Sequence, residues 1–236
     1  MSEPKSGARQ IRNAESTRTT ILNAAEAIFA EHGFDGARID AIALASGYNL
    51  SLIFRYFGDK LGLYTEILKR IDQQASELQA QVFRAMLADE TIISDIHRFR
   101  TFLTTAIGIF FDYMLEHPLV MRMMVWEHAE GWQTYVKVAS LFEIKGSEQL
   151  EEFFSKVQKA GLMRAGGDPF VLLLLAEQIC WTFPTSLPFY NLVLPDRDLS
   201  SAAAKAHFRE YLINFIVSGL LVDGKGDEPL ETRQDN

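Results

Sequence analysis

Apolar residues recur at helical spacing along most of the chain. Ile21, Ala24, Ala25, Ile28 and Phe29 fall on one face of a helix, and similar stripes continue toward the C-terminus. The sequence contains no Asn-Gly hairpin turn and no sustained alternation of apolar and polar residues, which are the usual signs of a sheet. We therefore predict an all-α fold.

Caps, glycines and prolines divide this pattern into segments. Ser16 or Thr17 is expected to cap the first helix, and Asp59 is expected to cap the long helix toward Ala88. Asp168-Pro169 provides a cap followed by a first-turn proline. The proline-containing segment after Ser186 is expected to be a loop. The predicted helices span residues 17–32, 39–45, 50–57, 59–88, 94–116, 118–129, 132–160, 168–186 and 200–222.

Two of these helices are short and lie close together in the sequence, between residues 39 and 57. Gly47 permits a tight turn between them, and Asn49 is suited to cap the second helix. Ala43 supplies a small side chain at their expected contact, while Ile42 and Ile53 would fill the wedge between them. Together with the preceding helix, this arrangement predicts an N-terminal three-helix helix-turn-helix domain.

Between Thr17 and Tyr64 the chain carries a characteristic set of spaced residues. They are Ile21-Leu22, Ala24-Ala25, Phe29, Gly33-Phe34, Ile42-Ala43, Gly47, Phe54, Tyr56-Phe57, Lys60 and Leu63. As a set they resemble the TetR family of transcriptional regulators. The resemblance implies a homodimeric, all-helical repressor that binds a roughly palindromic double-stranded DNA operator. A larger C-terminal helical domain is then expected to bind a small-molecule effector that lowers operator affinity.

The resemblance also implies a division of the chain and a set of contacts. We expect a flexible basic arm at 1–14, the helix-turn-helix domain at 15–62, an effector-binding and dimerisation domain at 63–222 and a disordered tail at 223–236. The recognition helix would span Asn49 to Phe54, and Tyr56 and Lys60 match positions that usually touch phosphates. The predicted DNA-binding residues are Arg38, Asn49, Leu50, Ser51, Leu52, Phe54, Arg55, Tyr56 and Lys60.

The predicted recognition helix is more apolar than is usual for the family. Leu50 and Leu52 stand where polar or small residues are commoner, and Phe54 replaces a tyrosine. Leu50 is either part of the core or an exposed residue that presses on a thymine methyl group. Tyr56 is either a phosphate contact or a core residue. We expect this helix to hold the DNA backbone firmly and to read few bases directly.

Charge is distributed unevenly in a way that is compatible with DNA binding. The net charge is −8 overall, but residues 1–60 carry seven basic and seven acidic side chains, so the whole acidic excess lies after residue 60. Residues 1–20 carry four basic and two acidic side chains. A protein that binds DNA at one end needs positive charge only at that end.

Residues 92–192 are rich in aromatic residues and methionine. Most of these side chains are expected to form an ordinary core, but flexible Met and aromatic side chains also suit a cavity for a mainly apolar effector. The predicted effector pocket comprises Phe110, Met114, Met123, Trp126 and Trp181.

The last predicted helix carries a broad apolar stripe that one protomer alone would leave partly exposed. Together with the helix that follows Asp168, it is suited to a four-helix dimer interface. The predicted interface residues are Phe208, Tyr211, Leu212, Phe215 and Gly219. A two-fold dimer would present two recognition helices about one DNA turn apart.

Catalytic and metal motifs are absent from the sequence. There is no HExxH, nucleophile elbow, Walker loop or Rossmann glycine set, and Cys180 is the one cysteine. We therefore expect no enzyme activity, no metal site and no cofactor. We also expect a cytoplasmic location, because no apolar run approaches the ~20 residues of a membrane span. The alternatives are an all-helical small-molecule-binding protein or enzyme with an accessory helix-turn-helix, and a protein-binding adaptor.

Overall fold

The computed structural model describes residues 5–141, 147–164 and 168–222, and these residues form the predicted all-α fold. Two short 3₁₀ helices, Glu90–Ile93 and Ala139–Leu141, accompany the α-helices. The α-helices are α1 (Lys5–Gly36), α2 (Ile39–Ser46), α3 (Leu50–Phe57), α4 (Lys60–Ala88), α5 (Ile96–Glu116), α6 (Pro118–Ala129), α7 (Gln133–Val138), α8 (Ser147–Lys159), α9 (Pro169–Val193) and α10 (Ala202–Leu220). None of the helices within these ranges is both long and apolar enough to cross a membrane.

Helix α1 begins well before the predicted cap, so the expected N-terminus at Ser16 or Thr17 is wrong. The hydroxyl of Thr17 donates to the carbonyl of Asn13 at 2.8 Å, and that of Thr20 donates to the carbonyl of Ser16 at 2.9 Å. These side chains bond back to the preceding helical turn, as hydroxyl residues inside a helix do, and therefore they cannot cap it. Residues 1–4 of the expected arm and the expected tail at 223–236 lie outside the described residues.

Helix α9 also departs from prediction, because it continues through Pro184 and Pro188 to Val193. A proline removes one helical hydrogen bond, but tertiary packing often outweighs such local preferences. The ring of Phe183 stacks on that of Phe208 of α10, and Leu187 and Tyr190 pack against the core of unit 2. Packing on both sides of the prolines holds this part of the chain helical. The stretch predicted as one helix over 132–160 is divided into α7, a 3₁₀ turn and α8.

The chain forms two compact units whose boundaries differ from the expected contiguous domains. Unit 1 comprises the chain up to Ser76 together with His117–Glu143. Unit 2 comprises Glu77–Glu116 together with the chain from Ile144 onward. Helix α4 runs through the boundary, and α6 and α7 belong to the same unit as the helix-turn-helix.

The core of unit 1 is built from the apolar faces that the sequence pattern indicated, together with residues from α6 and α7. Met123 of α6 and Val138 of α7 are buried among the side chains of α1 to α4. Phe29, Phe34 and Tyr64 form an aromatic group with ring centroids 4.8–6.1 Å apart. The buried core side chains of α1 to α4 are Ile21, Leu22, Ala25, Phe29, Ala30, Ile42, Ile53, Phe57, Leu63, Tyr64, Ile67 and Leu68.

A buried carboxylate connects three helices of unit 1. Glu127 of α6 is 1% exposed. Its Oε1 accepts a hydrogen bond from the Tyr64 hydroxyl of α4 at 2.6 Å, and its Oε2 accepts one from the backbone N–H of Tyr135 in α7 at 3.0 Å. Burial, followed by the hydrogen bond and charge of Glu127, raises the pKa of Tyr64 above its ordinary value.

Unit 2 has a separate core formed by α5, α8, α9 and α10. Phe99, Leu103 and Phe111 of α5 pack with residues of α9 and α10, including Phe183 and Leu212. At its edge, the guanidinium of Arg209 donates two hydrogen bonds of 2.7 Å to the carboxylate of Asp112, which joins α10 to α5.

We predict that Tyr64→Phe destabilises the protein by about 1–3 kcal/mol at pH 7, because it leaves a buried carboxylate oxygen of Glu127 without its donor. The raised pKa of Tyr64 also has a pH signature. The contribution of the buried Tyr64 hydroxyl to the free energy of unfolding is fully present below the unfolded pKa of about 10. It is lost as the pH rises above that value. Urea unfolding at pH 7 and between pH 8 and 11 measures both effects.

The matched control is Thr104→Val, which removes an exposed hydroxyl from α5 and should leave the unfolding midpoint unchanged. Tyr113, whose pKa burial also raises, keeps its own alkaline contribution in both variants. Equal midpoints for Tyr64→Phe and the unsubstituted protein at pH 7 would contradict the assigned role of this hydrogen bond.

Candidate nucleic-acid interface

Helices α2 and α3 form the turn that the sequence predicted. Gly47 ends α2 in a left-handed conformation with φ 73° and ψ 14°, and its N–H donates to the carbonyl of Leu44. Asn49 caps α3, because its side-chain oxygen accepts a hydrogen bond from the Leu52 N–H at 2.9 Å. Ile42 and Ile53 are both buried in the core of unit 1, as expected for residues that hold the two helices together.

The outward face of α3 is mixed apolar and polar. Leu50 is 37% exposed and Phe54 is 44% exposed, so both lie outside the core of unit 1. Asn49, Ser51 and Arg55 are exposed as well, and Leu52 is half-buried. Of the two interpretations of Leu50, the structure therefore supports the exposed one. This face offers few polar groups for reading base edges.

Tyr56 lies at the edge of this face and has features of both interpretations. Its ring is half-buried and packs near Phe57 with ring centroids 6.0 Å apart. The guanidinium of Arg55 lies 5.9 Å from the centre of the Tyr56 ring. The ring is thus anchored in the protein and the adjacent arginine is at the surface.

Lys60 and Arg38, the two other predicted cations, both have partners within unit 1. The ammonium of Lys60 donates to the carbonyl of Asp35 at 3.1 Å and lies 4.9 Å from the centre of the Phe34 ring. Arg38 stands at the N-cap position of α2 without capping it, and its guanidinium lies 3.3 Å from the carboxylate of Asp40. The Arg38 side chain is largely exposed, so this pair is weak and leaves the cation accessible.

A carboxylate adds to the electrostatics around Lys60. Burial, then the charges of Asp35 and Glu127, raises the pKa of the Glu130 carboxyl, while Lys60 opposes that rise. Lys60 therefore serves both as a surface cation at the start of α4 and as a local counter-charge.

The junction between α3 and α4 is set by two residues whose roles the sequence reasoning only partly identified. Asp59 caps α4 as predicted, because its carboxylate accepts a hydrogen bond from the Gly62 N–H at 2.7 Å. Gly62 itself was missed. A Cβ at this position would lie 2.0 Å from the carbonyl oxygen of Phe57, so the close approach of the two helices requires glycine here. The sequence offered only a glycine in the first turn of a predicted helix as a sign of this contact.

Ion pairs between α1 and α4 hold together the helices on which α3 packs. Sequence reasoning missed these pairs as well. The carboxylate of Glu66 forms ion pairs with Arg18 of α1 and, at 3.0 Å, with Lys69. Arg70 forms an ion pair with Glu26 and donates to the side chain of Asn23 at 2.7 Å. Spacing along one helix could indicate the Glu66–Lys69 pair, but the pairs between helices depend on tertiary contact.

The five predicted effector-pocket residues are divided between the two units. Met123 is fully buried in the core of unit 1, and Trp126 donates from its indole N–H to the carbonyl of Ala30 in α1 at 3.2 Å. Phe110, Met114 and Trp181 belong to unit 2. A cavity of about 620 Å³ in unit 2 has a different lining, namely Gln81, Val82, Asp89, Ile92, Asp95, His97, Arg98, Thr101, Phe102, Thr105, Ala106 and Ile109.

The predicted dimer residues divide by exposure. Tyr211 and Phe215 are 65% and 62% exposed, and Gly219 is also exposed. Leu212 is buried in the core of unit 2 and Phe208 is half-buried against Phe183, so these two side chains face inward rather than outward. Helix α9 also exposes apolar side chains, at Val171, Leu174, Leu175, Phe189, Leu192 and Val193.

Within the described ranges, no group of three or more His, Cys, Asp or Glu side chains is arranged to hold a metal ion. Cys180 is buried, and burial followed by the charge of Glu177 raises the pKa of its thiol to about 12. The thiol is therefore protonated and unreactive at neutral pH.

Comparison with known proteins gives matches over both parts of the chain. Residues 21–67 match the model of the bacterial regulatory proteins of the tetR family, and residues 100–216 match that of the tetracyclin repressor-like C-terminal domain. The chain is 25% identical to the HTH-type transcriptional repressor NicS of Pseudomonas putida over 93% of this chain and 99% of that protein. It is 33% identical to the HTH-type transcriptional repressor SCO4008 of Streptomyces coelicolor over 50% of this chain and 53% of that protein.

Solved structures share the fold. The fatty acid degradation regulator FadR from Bacillus halodurans superposes with a TM-score of 0.58 at 16% identity, over 86% of this chain and 95% of that chain. At this level of identity the match carries the fold alone.

Proposed function

Because the chain belongs to the TetR family of bacterial regulatory proteins, we propose that this DNA-binding transcriptional repressor holds its operator mainly through backbone phosphates. The observation that carries the proposal is the composition of the outward face of α3. It presents Leu50 and Phe54 with only Asn49, Ser51 and Arg55 as polar neighbours. Such a face is better suited to thymine methyl groups and DNA shape than to a dense set of base hydrogen bonds.

Phosphate contacts would surround this face. Arg38 at the start of α2, Arg55 and Tyr56 on α3 and Lys60 at the start of α4 supply cations and a phenolic hydroxyl. The first N–H groups of α4 add a partial positive charge beside Lys60. These groups would fix the position of α3 in the major groove of chromosomal DNA in the cytoplasm.

We propose that the protein acts as a homodimer. Helices α9 and α10 expose apolar side chains, including Tyr211 and Phe215. In a lone protomer these side chains would contact water, which costs free energy that burial in a dimer interface removes. Packing these helices against their copies gives a four-helix interface and a two-fold arrangement of two recognition helices. The operator would then be roughly palindromic.

The effector is proposed to be a mainly apolar small molecule that binds unit 2. The cavity of about 620 Å³ there has apolar lining residues that include Phe102, Ala106 and Ile109. Asp89, Asp95, His97 and Arg98 also line it and would suit a polar group of an amphipathic effector. Its volume falls in the range that small-molecule sites occupy. An effector that binds more tightly to the DNA-free form must lower operator affinity by the same factor, since the two equilibria are linked.

We expect the protein to bind DNA flanking its own gene, with two chains per site and with an affinity that falls as the salt concentration rises.

Tyr56→Phe should weaken this binding by about 0.5–1.5 kcal/mol, because it removes one hydroxyl that bonds a phosphate. The loss should be equal on a scrambled duplex, because phosphates carry no sequence. Fluorescence anisotropy measures the affinity, and light scattering gives the mass of the complex.

No salt-dependent binding to either duplex would refute the proposed function. Binding with one chain per site would refute the dimeric arrangement alone. Thr104→Val, which removes an exposed hydroxyl from α5 of unit 2, serves as the control substitution for Tyr56→Phe.

Leu50→Ala should weaken binding to the operator by about 1 kcal/mol, roughly fivefold, and should leave binding to the scrambled duplex unchanged. The reason is that a methyl contact discriminates between bases whereas a phosphate contact does not. Competition anisotropy with both duplexes measures the difference. An equal loss on both duplexes would rule out the methyl contact.

Ala106→Trp should abolish saturable binding of apolar effectors, because the indole would fill the cavity of unit 2. Titration of a panel of apolar and amphipathic compounds, followed by tryptophan fluorescence, tests this. Thr104→Trp adds the same ring at an exposed position of α5 outside the cavity lining and should leave binding intact. Binding only by small, highly charged compounds would contradict an apolar effector.

A further inference from the structure

A cleft in unit 1 is lined both by Tyr56, a predicted phosphate contact, and by residues of α7, which lies outside the helix-turn-helix. Its volume is about 500 Å³. Tyr56 and Phe57 line it from the end of α3, Arg18 lines it from α1, and Lys137 and Leu141 line it from α7 and the 3₁₀ turn that follows. Lys137, Val138 and Leu141 lie far from the recognition helix in sequence, yet they line the same cleft.

The charged side chains of this cleft differ in whether they form ion pairs or hydrogen bonds within the protein. Glu66 forms ion pairs with both Arg18 and Lys69, so this carboxylate and these two cations largely satisfy one another. The carboxylate of Asp59 accepts the Gly62 N–H at the start of α4. Lys137 is exposed and forms no ion pair with any carboxylate of the described residues. It is therefore the cation of this cleft that is available to an external anion.

The residues beside Lys137 are anchored in unit 1. The next residue, Val138, is buried in the core of unit 1. Two residues earlier, the N–H of Tyr135 donates to Glu127 at 3.0 Å, and the same carboxylate accepts the hydroxyl of Tyr64 at 2.6 Å. The buried carboxylate thus fixes α7 to the helix that follows the recognition helix. These contacts fix the backbone of the short helix that carries Lys137.

We propose that Lys137 contacts a DNA backbone phosphate next to the one bound by Tyr56, so that the nucleic-acid interface extends from the helix-turn-helix to α7. The partner is a phosphodiester group of the duplex already held by α3, and the inference therefore rests on the proposed function. The contact adds affinity without sequence information. Glu127 acts as a positioning residue for it.

The test is the salt dependence of DNA binding by the full chain. Each phosphate contact contributes about 0.9 to the slope of log K against log salt concentration. Lys137→Ala should lower this slope by about one for each protomer bound, equally on the DNA flanking its own gene and on a scrambled duplex. Lys137→Arg should keep the slope, since it keeps the charge. The matched control is Lys156→Ala, which removes an exposed lysine of α8 that forms an ion pair with Glu152.

The outcomes separate the two proposals. If Lys137→Ala and Lys156→Ala both retain the slope of the unsubstituted protein, the α7 contact is overturned, while DNA binding itself stands. If the unsubstituted protein shows no salt-dependent binding, the proposed function fails first. A third result would assign the cleft to an organic anion instead: an unchanged slope together with saturable binding of anilinonaphthalene sulfonate that Lys137→Ala abolishes.

Discussion

The carboxylate of Glu127 is buried in unit 1, and the arrangement of that unit depends on how its charge is satisfied. Removing an ionised carboxylate from water costs several kcal/mol unless hydrogen bonds replace the lost hydration. The hydroxyl of Tyr64 and the N–H of Tyr135 supply those bonds from two different helices. Helices α4, α6 and α7 are therefore joined at one point. Together with the packing of α6 against α1, which includes the hydrogen bond from Trp126 to Ala30, this keeps His117–Glu143 in the same compact unit as the helix-turn-helix.

A rigid support of this kind allows the recognition helix to be unusual on its outer face. The inner residues Ile42 and Ile53 hold α2 and α3 together, and the caps at Asn49 and Asp59 fix where α3 and α4 begin. None of these roles requires a polar outer surface on α3. Exposed Leu50 and Phe54 are thus compatible with a stable domain, and they shift the recognition of DNA toward methyl groups, shape and phosphates.

Local signals in the sequence predicted the helix-turn-helix correctly. Contacts between residues distant in sequence could not be predicted in this way. The turn at Gly47 and the caps at Asn49 and Asp59 depend on residues within three positions of one another. By contrast, Leu212 was placed on the wrong side of α10, because its stripe is too broad to show which part faces the core. Met123 and Trp126 looked like pocket residues, but contacts with α1 place them in unit 1.

The use of cations within unit 1 has a consequence for how the protein discriminates among DNA sequences. Arg18, Lys69 and Arg70 neutralise carboxylates between or along α1 and α4. The phosphate contacts are therefore left to a small set of cations, mainly Arg38, Arg55 and Lys60, which limits non-specific affinity. The acidic excess after residue 60 acts in the same direction. With weak non-specific binding, even a modest gain from methyl and shape contacts produces a useful specificity ratio, which is the quantity that matters among many competing sites.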